Sequence, residues 1–84
     1  MKYRIIITNT FDRGMRRLML TNRQRARQLI KEIQANPYAF KELGGKLRGL
    51  RSARFGDYRI IFAIDERQKV VILFSVRPRE RVYE

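Results

Sequence analysis

The chain contains no cysteine, no histidine and no tryptophan, and only two of its 84 residues are proline. Without cysteine, neither a disulfide framework nor thiolate chemistry is available. The lack of histidine also excludes the usual zinc sites, the Cys–His and Ser–His nucleophile systems and the most frequent general base. Any catalysis must therefore use arginine, lysine, tyrosine, a carboxylate or a hydroxyl group, and we expect no metal and no cofactor.

Long apolar runs of the kind that membrane segments need are absent as well. The apolar run near the start, Ile5 to Ile7, is far too short for a signal peptide or a membrane span. We therefore expect a cytoplasmic protein with no membrane partner. Hydrophobic residues make up 44% of the chain, which is enough for a core, and 84 residues leave no room for a second one. We expect a single domain over residues 1–84.

Acidic residues are also scarce, because eight of them stand against 20 basic residues and the net charge is +12. Fifteen of the basic residues are arginine, which suits bidentate phosphate recognition better than lysine does. The charge favours nucleic acid as the partner, with an acidic protein as the second interpretation and a membrane surface as the third. A protein held inactive by an acidic partner would show the same charge.

Apolar spacing in the first half predicts a strand and then two helices. Residues 2–8 alternate in the manner of a strand. A first helix follows, capped by Thr10 or Asp12, with its apolar residues on one face. A new N-cap near residue 21 begins a second helix, which stops at the Asn-Pro pair beginning at residue 36. We expect the two helices to be antiparallel and joined by a tight turn.

The second half has the pattern of a β-meander. Residues 50–55, 58–64 and 69–76 are three strand candidates rich in isoleucine, valine and phenylalanine. Gly56-Asp57 has the composition of a two-residue type II′ turn, with glycine first. The order predicts the α+β class, with an N-terminal strand and two antiparallel helices packed on one face of an antiparallel sheet of about four strands.

The predicted hairpin brings basic residues together. With Gly56-Asp57 as the turn, Arg54 pairs with Arg59, and both point away from the apolar face. Like charges directly across two strands destabilise a sheet, and a bound polyanion would remove this cost.

The last strand runs back along the second strand of the hairpin, so the C-terminal segment should arrive beside Arg59. Tyr83 is expected near the same place. The residues expected to bind phosphate are Arg54, Arg77 and Arg81, together with Lys46, Arg48 and Arg51 from the loop that leads into the sheet. The alternative is that these are ordinary solvated strand and tail residues, with Tyr83 packed on the surface.

Two segments resemble a known family. Residues 50–62, Leu-Arg-Ser-Ala-Arg-Phe-Gly-Asp-Tyr-Arg-Ile-Ile-Phe, resemble the R-x-GDYR-φ-φ-Y stretch of toxins of the RelE/ParE superfamily. Residues 79–83, Arg-Glu-Arg-Val-Tyr, are similar to the C-terminal R-x-x-V-Y signature of that superfamily. The resemblance covers nearly the whole chain in length and element order, and it is specific mainly from Lys46 to Tyr83. It implies the βααβββ fold of RelE and a cognate antitoxin as partner.

In the RelE branch, the resemblance implies ribosome-dependent cleavage of messenger RNA by attack of the 2′-hydroxyl on the adjacent phosphate, without a metal. By motif, Arg59 corresponds to the arginine that stabilises the developing phosphorane charge. Arg79 corresponds to the residue that assists the leaving 5′-oxygen, and Tyr83 to the one that orients or deprotonates the 2′-hydroxyl. Arg54 matches a basic position that contacts phosphate.

Two other functions within the superfamily stay open. One is a ParE-like protein that inhibits DNA gyrase without cleaving RNA, and the other is a degenerate member that binds RNA only. Ser52 stands where some relatives carry a basic residue, and Pro78 stands where many carry a histidine. The arginines and the tyrosine of the two motifs favour the RNA-cleaving branch.

Overall fold

The computed structural model describes residues 2–78, which form two helices packed against a five-stranded mixed sheet. The strands are β1 (Arg4–Ile7), β2 (Lys41–Glu42), β3 (Arg51–Phe55), β4 (Tyr58–Asp65) and β5 (Val70–Pro78). The helices are α1 (Asn9–Arg17) and α2 (Leu20–Ala35), with single 3₁₀ turns at Pro37–Ala39 and Gly45–Leu47. The spatial order of the strands is β1-β5-β4-β3-β2. The predicted α+β class and element order are confirmed.

Two details of the sheet differ from the expectation. β1 pairs with β5 in parallel, with Ile5 beside Val71 and Ile7 beside Leu73, so the sheet is mixed and not purely antiparallel. A parallel neighbour needs a long crossover connection, and the two helices and the hairpin lie between these strands in the chain. The second difference is the extra strand β2, which pairs with the start of β3.

The hydrophobic core lies between the helices and one face of the sheet. Strand alternation directs every second residue of β3 and β4 toward the helices. In β5 the alternation is shifted by one residue opposite Ile61 and Phe62. The largest fully buried side chains are Phe11, Phe62, Ile33, Ile60, Leu73 and Val71. No charged side chain is buried among residues 2–78. The basic residues are therefore left to the surface and to the other face of the sheet.

Both helices begin earlier than their predicted caps. The N-cap of α1 is Thr8, whose Oγ1 accepts a hydrogen bond from the backbone N–H of Phe11 at 3.0 Å. The break between the helices falls at Leu18 and Met19. Arg23, in the first turns of α2, donates through Nη2 to the Leu18 carbonyl at 2.8 Å and so satisfies a backbone acceptor at the end of α1.

The hairpin of β3 and β4 has the predicted register. Phe55 pairs with Tyr58 and Arg54 with Arg59 across the two-residue turn. Gly56 has a φ of +55°, whereas Asp57 has no positive φ. A positive φ at the first turn residue alone is what a type II′ turn requires, so this prediction is confirmed. Within residues 2–78, no helix is long and apolar enough to cross a bilayer.

Candidate functional site

Three arginines lie side by side on three neighbouring strands. Arg59 on β4 has Arg54 of β3 as its Cα partner on one side and Arg77 of β5 on the other. Directly paired residues of antiparallel strands share a face, with Cβ atoms about 4.5–5.5 Å apart. We call these three residues the arginine row. The predicted convergence of Arg54, Arg59 and Arg77 is therefore present.

Strand alternation fixes the face on which the arginine row lies. Arg54 stands between Ala53 and Phe55, which are buried on the helix side, so its own side chain points away from the helices. Arg59 is placed in the same way next to Ile60, which is fully buried. Arg54 and Arg77 are exposed, and Arg59 is half-buried. The arginine row therefore lies on the face of the sheet opposite the core.

None of the three arginines of the arginine row forms an ion pair within residues 2–78. The ion pairs in this part of the chain join Asp12 with Arg16, Glu42 with Arg51 and Glu66 with Lys69. The Nε of Arg59 is buried and has no hydrogen-bond partner among the described residues. An unsatisfied buried donor costs about 1–3 kcal/mol, and more when it is charged. An oxygen of a bound phosphate is a strong acceptor for such a donor.

The other described residues that were predicted to bind phosphate lie away from the arginine row. Arg51 shares a face with Phe62, its Cα partner, and therefore lies on the side of the core. Its Nη1 donates to the Phe40 carbonyl at 2.7 Å, and its guanidinium lies 5.1 Å from the centre of the Tyr38 ring. The structure does not bring Arg51 into the arginine row, because residues 51 and 54 of one strand point to opposite faces.

Lys46 and Arg48 are exposed in the loop that leads into β3. That loop enters β3 at its first residue, whereas Arg54 lies three residues further on, about 10 Å along the strand. The structure therefore does not bring these two residues into the arginine row. The remaining predicted site residues, Arg79, Arg81 and Tyr83, lie outside the described residues.

Comparison with known families identifies the chain. A family model described as the ParE toxin of the type II toxin–antitoxin system parDE matches residues 5–83. The chain belongs to the RelE/ParE toxin superfamily. Toxin RelE of Mycobacterium tuberculosis is 32% identical over 83 residues, which cover 96% of this chain and 86% of that protein. The protein is accordingly a toxin of a type II toxin–antitoxin system.

Solved structures of the superfamily share the fold. The toxin–antitoxin complex RelBE2 of M. tuberculosis has a chain with a TM-score of 0.86 and 26% identity, covering 94% of this toxin and all of that chain. The RelE–RelB complex of Pyrococcus horikoshii has a chain with a TM-score of 0.78 and 27% identity, covering 98% of this toxin and all of that chain. Isolated RelE of E. coli, at 21% identity and a TM-score of 0.80 over 95% of this toxin and 87% of that chain, is similar in fold.

The end of the sheet opposite the arginine row carries a different kind of polar cluster in this toxin. The Oε1 of Glu66 accepts hydrogen bonds from the hydroxyls of Tyr3 at 2.8 Å and Tyr38 at 2.9 Å, and Lys69 binds its Oε2. We call these four residues the Glu66 network. The hydrogen bond from Lys69, followed by those from Tyr3 and Tyr38, lowers the pKa of Glu66 to about 2. The hydrogen bond to Glu66 raises the pKa of each tyrosine.

Two basic residues of the toxin to which the sequence pattern assigned no role lie close to the arginine row. Arg13 and Arg17 of α1 line a surface depression together with Arg77. Their helical spacing places them on one side of α1, but the sequence does not indicate which strand that side meets. Among residues 2–78, no three acidic side chains lie close enough together to hold a metal ion.

Proposed function

We propose that this toxin is a ribosome-dependent messenger RNA interferase, an endoribonuclease acting in the cytoplasm. The observation that carries the proposal is the arginine row, in which three arginines on adjacent strands form no ion pair within residues 2–78. Arg79 and Tyr83, at the C-terminal motif positions, and the relative named Toxin RelE add support from the sequence.

The proposed reaction is an internal transfer of the phosphoryl group. The 2′-oxygen of a ribose attacks the adjacent phosphorus, the O2′–P bond forms, and the P–O5′ bond breaks. The products are a 2′,3′-cyclic phosphate and a 5′-hydroxyl. The proton of the 2′-hydroxyl passes to the phenolate form of Tyr83, which the positive charge of nearby arginines favours. The leaving 5′-oxygen takes a proton from water while Arg79 stabilises its negative charge. Arg59 stabilises the additional negative charge on the phosphorane oxygens.

This chemistry suits a chain without histidine. An arginine remains charged at all physiological pH values and binds two oxygens of one phosphate, so it serves as an electrostatic clamp and not as a proton carrier. Removing one such stabilising donor from an active site costs about 10²–10³-fold in rate. A weak intrinsic base needs a substrate held in the reactive geometry, and the ribosome would provide this positioning.

We also propose a cognate antitoxin as the partner that holds the toxin inactive. Two of the related structures are complexes of RelE with RelB or of RelBE type. A groove of about 500 Å³ beside β1 has an apolar floor of Phe11, Met15 and Ile30. Arg16, Arg23 and Arg27 also line it, and Asp12 pairs with Arg16 there, so Arg23 and Arg27 are the positive charges that would meet an acidic amphipathic segment. Met15→Glu should weaken retention of the antitoxin and leave RNA cleavage unchanged.

The test of the main proposal is to map messenger RNA ends in a translating extract. The wild-type toxin should produce codon-phased cuts that carry 5′-hydroxyl ends. Arg79→Ala and Tyr83→Phe should lose these cuts, while Arg67→Gln, an exposed position in the turn between β4 and β5, should keep them. Intact messages at toxic concentrations of the wild-type protein would overturn the proposal.

A second candidate function is inhibition of DNA gyrase without RNA cleavage. The observation in its favour is that the family model matching residues 5–83 is that of the ParE toxin. Purified gyrase, assayed for supercoiling in the presence of the toxin, separates the two functions. Blocked supercoiling together with intact messages would support the gyrase function. Binding to RNA with neither effect would indicate a member that binds RNA only.

A further inference from the structure

A depression of about 400 Å³ lies between α1 and the last part of β5, next to the arginine row, with which it shares Arg77. Helix α1 contributes Thr10, Arg13 and Arg17, and β5 contributes Ser75 and Arg77. Three arginines, a threonine and a serine thus line one hollow. Arginine and hydroxyl side chains are the donors that most often bind phosphate oxygens in nucleic-acid complexes. Neither motif of the sequence includes residues of α1.

The position of α1 follows from where β1 ends. The pairing of β1 with β5 stops at Ile7 and Leu73, and the Thr8 hydroxyl then donates to the Phe74 carbonyl at 2.8 Å. Strand β5 continues to Pro78, and along this continuation α1 takes the place beside β5 that β1 leaves. The basic face of a helix is thereby set next to a strand that carries part of the arginine row.

Gly14 makes the contact between α1 and β5 close. A Cβ atom at residue 14 would lie 2.7 Å from the carbonyl oxygen of Val76 and 2.9 Å from its Cγ1, distances that van der Waals contact does not allow. Glycine within a helix is less favourable than alanine by about 1 kcal/mol. Here its lack of a side chain is what lets α1 lie against the strand. Arg13 and Arg17, on either side of Gly14, are therefore held next to Arg77.

The arginines of this depression, like those of the arginine row, form no ion pair in the part of the chain that the structure describes. On α1, Asp12 pairs with Arg16 at 2.9 Å, whereas Arg13 and Arg17 form no ion pair within residues 2–78. Thr10, Arg13 and Arg17 follow one another at intervals of three and four residues, which places them on one side of the helix. Like charges held this close repel each other, and a bound anion would remove that repulsion.

Arg77 connects the two sites. It is the Cα partner of Arg59 in the arginine row, and it also lines the depression with Arg13 and Arg17. A second hollow of about 260 Å³, lined by Arg17, Tyr58 and Arg77, extends along the same edge of β5. The basic surface is therefore continuous from the face of the sheet, around the edge of β5, to the outer side of α1.

We propose that the depression between α1 and β5 binds a phosphate of an RNA backbone, separate from the phosphate held by the arginine row. This inference rests on the proposed function, because it takes RNA as the ligand. The volume corresponds to about a dozen water molecules, which is room for a sugar-phosphate unit. The phosphate belongs either to the message beside the cleaved bond or to ribosomal RNA around it.

The experiment compares two double variants that each lose two positive charges. Arg13→Gln/Arg17→Gln removes the α1 side of the depression. Lys31→Gln/Arg67→Gln is the control, since both residues are exposed and neither lines the depression. One arm measures binding to a labelled single-stranded RNA, and the other measures binding to ribosomes without message. Each arm is repeated between about 50 and 200 mM salt.

We expect the α1 variant to lose about tenfold in affinity in at least one arm, with a salt slope reduced by about 0.7 for each lost contact to single-stranded RNA. A loss in the first arm assigns the phosphate to the message, and a loss confined to the second assigns it to ribosomal RNA. Affinities and slopes equal to those of the control in both arms would overturn the inference. Absence of binding by the wild-type toxin in both arms would overturn the proposed function and, with it, the RNA ligand.

Discussion

The two ends of the sheet differ in whether their charged side chains are paired with opposite charges. At the end where β4 passes into β5, the carboxylate of Glu66 is bound by Lys69 and by the hydroxyls of Tyr3 and Tyr38. At the other end, the arginine row sets three positive charges on adjacent strands with no carboxylate paired to any of them within residues 2–78. Strands β4 and β5 run through both ends, and the same hydrophobic core packs against them.

The two ends therefore contribute in opposite directions to the stability of the fold. Hydrogen bonds and opposite charges around Glu66 favour the folded chain, whereas like charges on directly opposite strand positions disfavour it. A side chain that destabilises the fold can be retained because the activity of the protein requires it. The Glu66 network therefore explains how β1, the β4–β5 turn and the 3₁₀ turn at Pro37–Ala39 are held together. The arginine row is the surface that we propose to bind RNA.

The largest expected effect comes from neutralising the centre of the arginine row. Arg59→Gln should lower the rate of message cleavage on purified, programmed ribosomes by about 10²-fold, because a positive charge next to the phosphorane is lost. Arg67→Gln removes an equal charge from the opposite end of the sheet and should change the rate by less than about threefold. Equal losses in the two variants would mean that total charge, and not the arginine row, drives cleavage.

A second expectation concerns the Glu66 network and pH. The pKa of Glu66 in the folded chain is about 2, below the ordinary value of 4.5. A lowered pKa means that the carboxylate stabilises the folded chain above pH 4.5 and that this stabilisation is lost as the pH falls toward 2. The unfolding temperature of the wild-type toxin should therefore fall more steeply across this window than that of Glu66→Gln.

Glu32→Gln serves as the control for that measurement, because Glu32 is exposed on α2 and lies outside the Glu66 network. Its unfolding temperature should follow that of the wild type through the acid range. If Glu66→Gln and the wild type fell in parallel, the network would contribute nothing to the acid sensitivity of the fold.

The smallest expected effect is a gain in stability. Arg54→Thr removes one of the like charges of the arginine row and introduces a residue that strands favour, so it should raise the free energy of unfolding by about 0.2–1 kcal/mol. Arg54→Lys keeps the charge and should give no such gain. Urea unfolding measures both variants. A loss of stability in Arg54→Thr would show that the arginine side chain stabilises the sheet through packing.

The sequence predicted the parts of the site that depend on local geometry. The two-residue turn Gly56-Asp57 determines the register of β3 and β4, and that register alone brings Arg54 opposite Arg59. Strand alternation also places Arg51 on the same face as Ala53. The position of Arg51 away from the arginine row therefore follows from the alternation of β3. The phosphate-binding role predicted for Arg51 stays a prediction.

Other features depend on contacts between distant segments. The parallel pairing of β1 with β5 and the short strand β2 are decided by which strands meet in the folded chain, and local spacing does not determine that. The place of Arg13 and Arg17 beside Arg77 depends on where β1 stops and on the close contact at Gly14. The exact helix starts differ because Thr8, and not Thr10 or Asp12, caps α1.

We propose that the arginine row, and not the net charge of +12, holds the RNA. The most direct test is the salt dependence of binding to single-stranded RNA by Arg54→Gln/Arg59→Gln and by the control Lys31→Gln/Arg67→Gln. We expect the slope of log affinity against log salt to fall by about 1.4 in the first variant and to stay near the wild-type value in the control. Equal slopes in the two variants would contradict the proposal that the arginine row binds the RNA.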